Sequence, residues 1–162
     1  MEKKEKKYLD QAMALQKLQR FCAYQERSHE EVRSKLIELG VYGERLDNVI
    51  VSLIEDNFLN EERFAQIYAR GKFNIKRWGK VRIKQELKMR KISDYCIKKA
   101  MLEIHDDDYN RVIREIIVKK ANLLNESDKY VLRQKLFLYA MQKGYEIELI
   151  NTALNEFFNK EK

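Results

Sequence analysis

The 162-residue chain contains no proline and only 5 glycines. Long helices therefore meet almost no covalent obstacle, whereas a β-sandwich or barrel would lack its usual turn residues. Histidine is scarce: His29 falls inside a helix-capping sequence and His105 at a helix end, neither in a metal-ligand or triad spacing. Both are read as surface residues. The chain has no Gly-rich phosphate loop, no zinc spacing and no nucleophile elbow. These absences weigh against an enzyme and against a cofactor, and favour a protein that acts by binding. The two cysteines, Cys22 and Cys96, lie in apolar-periodic segments rather than in a spaced framework. They are expected to be reduced, buried thiols. No apolar run reaches the ~18 residues of a membrane span, and the opening from Met1 to Lys7 has no apolar signal core. The expectation is a cytoplasmic monomer without membrane contact.

What is present is 44% hydrophobic residues set at helical spacing. Leu15, Leu18, Phe21 and Cys22 mark one helix, Val32, Leu36 and Leu39 a second, and Leu46, Val49, Ile50 and Leu53 a third. Ser28-His29-Glu30-Glu31 forms a capping box at the second, and Gly40 closes it, since glycine tolerates the left-handed cap. The set Val32, Leu36, Val41, Leu46, Val49, Ile50, Leu53 recurs at an offset of 51 as Ile83, Leu87, Ile92, Ile97, Ala100, Met101, Ile104. It recurs again, 53 further on, as Leu136, Ala140, Tyr145, Ile150, Ala153, Leu154, Phe157. Gly144 stands where Gly40 does, and Lys91 takes that place in the middle copy. Each copy has a leading helix, around Met13 to Tyr24, Asn60 to Phe73 and Asp107 to Leu123. The pattern predicts an all-α chain of three tandem three-helix repeats in an elongated, curved array. The repeats span 1–57, with a charged tail at 1–8, then 58–105 and 106–162.

The formal net charge of +7 is unevenly placed. Residues 1–57 carry 10 basic and 11 acidic side chains, 58–105 carry 13 and 5, and 106–162 carry 10 and 10. From Lys72 to Lys91 the chain has Lys72, Lys76, Arg77, Lys80, Arg82, Lys84, Lys88, Arg90 and Lys91 against the single acid Glu86. A helix starting near Lys80 would carry Lys80, Lys84, Lys88 and Lys91 in one stripe beside the Ile83/Leu87 seam. Such a run can be a solvated helix face, but uncompensated like charges destabilise a helix, so the cluster points rather to an acidic partner, either nucleic-acid phosphate or acidic protein. Lys80→Glu with Lys84→Glu is expected to weaken partner binding and leave the fold intact. Trp78 precedes the N-cap Gly79 at the spacing of a hydrophobic staple to Ile83, with stacking or interface anchoring as the alternative. Tyr68, Phe73 and Tyr95 read as core or half-buried rim. Asp106, Asp107 and Asp108 resemble a metal cluster, but acids at a helix start answer the helix dipole.

Two blocks resemble the RecX family, regulators of the bacterial RecA recombinase. The first runs from Ala14-Leu15 through Arg27-Ser28-His29-Glu30-Glu31-Val32-Arg33-Ser34-Lys35-Leu36. The second comprises Asp56-Asn57-Phe58-Leu59-Asn60-Glu61-Glu62-Arg63-Phe64-Ala65 and then Trp78-Gly79-Lys80-Val81-Arg82-Ile83-Lys84-Gln85-Glu86-Leu87. The family pattern has Asp where Asn60 stands and Lys-Gly where this chain has Arg90-Lys91. The resemblance covers about residues 13 to 120, with the third copy joined only by its repeat pattern. It implies a non-enzymatic repeat protein that lodges in the groove of the RecA–DNA filament. Such a protein restrains ATP hydrolysis, strand exchange and co-protease activity in DNA repair and the SOS response. From the charge geometry rather than the resemblance, Lys72, Lys76, Arg77, Trp78, Lys80, Arg82, Lys84, Lys88, Arg90 and Lys91 are the candidate contacts to such a filament. Direct action on single- or double-stranded DNA without recombinase is the rival reading.

Overall fold

The computed structural model describes residues 9–160, so the charged tail at 1–8 lies outside the described residues. Among the described residues the chain is helical throughout. The elements are α1 (Gln11–Tyr24), α2 (His29–Glu38), α3 (Gly43–Glu55), α4 (Glu61–Asn74), α5 (Lys80–Met89), α6 (Asp94–Met101), α7 (Asp106–Leu124), α8 (Lys129–Lys143) and α9 (Ile147–Lys160). They form three tandem three-helix repeats, α1–α3, α4–α6 and α7–α9. Every aligned position of the repeat is buried except Met101 and Phe157. No helix among the described residues is long and apolar enough to cross a membrane.

By packing, the chain gathers into two compact units, Met1–Phe64 with Arg90–Ile92, and Ala65–Met89 with Ser93–Lys162. In the first, α1, α2 and α3 pack on one another around Leu18, Val32, Leu36, Val49 and Leu53. The Ser28 hydroxyl accepts the Glu31 amide at 3.1 Å, which satisfies a free donor of the first turn. Glu31 does not close the capping box in return; its carboxylate lies 3.9 Å from Arg27. Asn60 stands where the family pattern has Asp and does the same work, its side-chain oxygen accepting the Arg63 amide at 2.9 Å. The Arg63 guanidinium meets Glu26 at 2.6 Å. Cys22 and Cys96 are both buried and form no disulfide, and burial pushes the Cys22 thiol up to about 11.

Lys91 keeps the left-handed turn although it has a side chain. Its φ of 58° matches the role of Gly40 at 81° and Gly144 at 96°. A lysine there holds its Cβ against the following carbonyl, at a cost of about 1 kcal/mol. The Lys91–Glu30 pair at 3.5 Å is largely exposed and returns little of this. Lys91→Gly is expected to raise stability by about 0.5–1 kcal/mol, read as a higher urea midpoint with an unchanged slope.

In the second unit, α5 packs on α6, and α7 packs on both α8 and α9. Phe73, Ile83, Leu87, Val112, Ile113, Leu136 and Leu154 fill its interior. Asp106, Asp107 and Asp108 form the first turn of α7, as its dipole favours.

Candidate cationic interface

The start of α5 is held by the third repeat through main-chain atoms. The Gly79 amide donates to the Lys143 carbonyl at 2.8 Å, and the Val81 amide to the Gly144 carbonyl at 2.9 Å. Between them, the Lys80 amide donates to the Tyr109 hydroxyl at 2.9 Å, and that hydroxyl donates to Glu146 at 2.7 Å. Amides that a helix start normally leaves to water are thus taken up by the carbonyl end of α8, which brings opposite ends of two helix dipoles together. Such proximity requires two bare α-carbons. A Cβ at Gly79 would sit 2.3 Å from the Gly144 carbonyl oxygen, and one at Gly144 would sit 2.2 Å from the Arg82 Cβ.

An aromatic stack braces the same joint. The Tyr109 and Tyr145 rings lie 5.1 Å apart, and Phe73 lies 5.9 Å from Tyr109. The Tyr145 hydroxyl donates to the Arg77 carbonyl at 2.9 Å, an acceptor presented by the left-handed backbone at Arg77 (φ 60°). Burial, and for Tyr109 the bond to Glu146, raise both phenols well above the ordinary tyrosine value. Tyr109→Phe leaves the Lys80 amide and the Glu146 carboxylate without this partner, and is expected to cost about 1–3 kcal/mol in urea denaturation.

These contacts divide the candidate residues. Lys80 is drawn inward: its side chain is 20% exposed, with the ammonium 4.7 Å from the Tyr109 ring centre and 3.6 Å from Asp106. Arg82 lies 4.0 Å from the Trp78 ring centre and donates to the Gln142 carbonyl at 3.2 Å. Lys72 approaches the same ring at 4.9 Å. Trp78 is half-buried and carries two cations, a relation its staple spacing does not reveal. Arg77 pairs with Glu115 at 3.7 Å. Lys76, Lys84 and Lys88 are exposed and form no ion pair among the described residues. Arg90 and Lys91 belong to the first unit, Lys91 beyond the end of α5. Because Lys80 serves the joint, reversing its charge would perturb folding together with binding, and Lys84 and Lys88 are the cleaner positions for a test.

Three further lysines extend the cationic surface of the second unit. Lys119 and Lys120 on α7 and Lys143 at the end of α8 line a cleft with Lys76 and Arg77. The adjacent Lys119-Lys120 pair is visible in the sequence, but its proximity to residue 76 is a product of folding. Tyr95, expected in the core or rim, is 62% exposed, with Lys99 at 5.6 Å from its ring centre. It sits on the outer side of a short helix whose buried face is already filled by Cys96, Ile97 and Ala100.

The family models for the second and third three-helix domains of RecX match residues 60–101 and 106–154. "Regulatory protein RecX" of Clostridium perfringens strain 13 is 31% identical over 137 residues, 83% of this chain and 64% of that protein. The protein of the same name in Clostridium acetobutylicum is 30% identical over 138 residues, with the same coverage. The chain thus spans slightly under two thirds of the length of these relatives. The crystal structure of RecX from Lactobacillus salivarius shares the fold with a TM-score of 0.81 at 23% identity, over 90% of this chain and 95% of that one.

Proposed function

Because the chain belongs to the RecX family, we propose that it is a non-enzymatic regulator that binds the groove of the RecA–DNA filament and restrains the recombinase. The activities held back are ATP hydrolysis, strand exchange and co-protease function, in DNA repair and the SOS response. The observation that supports this reading is the set of exposed cations on and before α5. Lys84 and Lys88 stand one helical turn apart on one face, and Lys76 is exposed ahead of them, all without an acidic partner among the described residues. Charges left uncompensated on a folded surface favour a negatively charged partner and speed encounter with it. In this proposal Lys76, Lys84 and Lys88 make the contact. Lys72, Arg77, Trp78, Lys80 and Arg82 hold the surface in shape, and Arg90 and Lys91 serve the first unit. The repeats 1–57, 58–105 and 106–162 are the proposed structural modules.

The test is a titration of purified protein into recombinase and single-stranded DNA, with ATP hydrolysis as the readout. Hydrolysis is expected to fall as the protein approaches saturation of the filament; an unchanged rate at saturation overturns the proposal. The same exposed lysines support a second reading, direct binding to single- or double-stranded DNA. That reading requires binding without recombinase, with a log–log salt slope of about −0.9 per duplex phosphate contact.

A further inference from the structure

The second unit holds a cleft of about 310 Å³ that shares Lys76 and Arg77 with the surface before α5, formed by the segment after α4, one side of α7 and the end of α8. Lys76, Arg77, Lys119, Lys120 and Lys143 line it, with Glu115 as its one acid, and that acid is engaged by Arg77 and by Arg111 at 3.5 Å. Four ammonium groups therefore share a concave surface without a carboxylate of their own. Burial, followed by the charges of Arg82, Lys76 and Lys120, holds the Lys143 ammonium below the usual lysine range. Its Nζ finds only a neutral acceptor, the Lys76 carbonyl at 3.0 Å. An anion in the cleft would relieve this repulsion.

The apolar lining narrows the choice of anion. Ile75 is 79% exposed and Leu123 is 72% exposed, and both border the cleft. A nucleic-acid strand makes poor use of aliphatic side chains; it needs open aromatic faces on which bases stack. The cleft has one aromatic ring, Tyr139, and two of the lysines already approach it, Lys120 at 4.8 Å and Lys143 at 5.8 Å from its centre. Lysines beside exposed aliphatic groups suit a chain that alternates carboxylates with apolar side chains.

We propose that this cleft, between Lys76 and Arg77 on one side and Lys119, Lys120, Leu123 and Lys143 on the other, docks an acidic peptide segment of a protein partner bearing an aliphatic side chain. The carboxylates meet the lysines, and the aliphatic group rests on Leu123 and Ile75. This inference does not depend on the partner being the recombinase, since the peptide can bind even if the ATPase titration fails.

The test uses the full chain and a fluorescent ten-residue peptide of aspartate and glutamate carrying two leucines, followed by anisotropy. A matching peptide with serine for leucine and a fifteen-residue oligothymidylate serve as the alternatives. The leucine peptide is expected to bind at least ~5-fold more tightly than its serine counterpart, as loss of a partly buried leucine predicts. Lys119→Glu with Lys120→Glu is expected to weaken it ~10-fold or more, and Leu123→Ser ~5-fold. Lys119 and Leu123 are exposed on α7 and Lys120 is half-buried at its surface, so both variants are expected to keep the circular dichroism spectrum of the unchanged protein. Equal binding of both peptides, indifference to Leu123→Ser, or oligothymidylate that displaces the leucine peptide while itself losing affinity with Lys119→Glu and Lys120→Glu would each overturn the proposal.

Discussion

Gly144→Ala is expected to lower the unfolding free energy by about 3–4 kcal/mol, a large share of what holds a domain of this size folded. Two costs combine. The added methyl would lie 2.2 Å from the Arg82 Cβ and 2.6 Å from its amide nitrogen, so α5 must move away. Overpacking of this kind costs about 1–3 kcal/mol. The backbone at residue 144 also has φ 96°, in the region that L-residues enter at about 1–2 kcal/mol. Gly79→Ala meets the same joint from the other side, with the Gly144 carbonyl oxygen 2.3 Å away, and separates the steric cost from the conformational one. Gly71, inside α4 with nothing within 4 Å of a built Cβ, supplies the control. Gly71→Ala is expected to be neutral or to stabilise by up to about 1 kcal/mol. Urea midpoints of the three variants check the set. Gly144→Ala with a midpoint equal to that of the unchanged protein would mean that α5 and α8 do not meet as described.

The second large effect concerns the surface. On the proposed function, Lys84→Glu combined with Lys88→Glu is expected to raise the protein concentration for half-inhibition of the recombinase ATPase by about 10-fold or more at low salt. Each reversal converts an attraction at the rim of an interface into a repulsion worth about 0.5–1 kcal/mol either way, and the difference shrinks as salt screens exposed charges. Both side chains are exposed, so the unfolding free energy from urea denaturation is expected to stay within about 0.5 kcal/mol of the original. Lys80→Glu behaves differently. It sets a carboxylate against Tyr109 and Asp106, and is expected to lose stability as well as binding. Inhibition that survives the 84 and 88 reversal unchanged removes α5 from the interface. Inhibition lost equally at low and high salt removes electrostatics as the reason.

The helices and their repeat were legible because burial imposes a period. A position that faces the core in one copy faces it in the next, and Val32, Ile83 and Leu136 are all fully buried. The turn at Lys91 was not legible, since nothing about a lysine announces the left-handed backbone it shares with Gly40 and Gly144. The fate of individual cations was not legible. Lys80, Lys84 and Lys88 are equivalent on a helical projection, and what distinguishes them is Tyr109 and Asp106, which reach Lys80 from α7. Trp78 was legible as a residue beside a cap, yet the company of Lys72 and Arg82 is a tertiary fact. Gly79 and Gly144 stand 65 residues apart, and neither suggests the other. Local pattern specifies elements, whereas the choice between solvent and a neighbouring repeat is made by residues far along the chain.

The closest part of the joint, between Gly79 to Val81 and Lys143 to Gly144, is made by two hydrogen bonds between main-chain atoms. Main-chain donors and acceptors are common to every residue except proline, so the bonds ask little of the side chains flanking them. What the joint demands is bareness at two positions and a turn that aims a carbonyl outward. A substitute third repeat could therefore be spliced in with a different charge pattern and different surface side chains, and still seat itself. It would need to bring a glycine at the close of its second helix and a tyrosine able to reach residue 80. It would also need an aromatic in the place of Tyr145 to stack on that tyrosine and reach the Arg77 carbonyl.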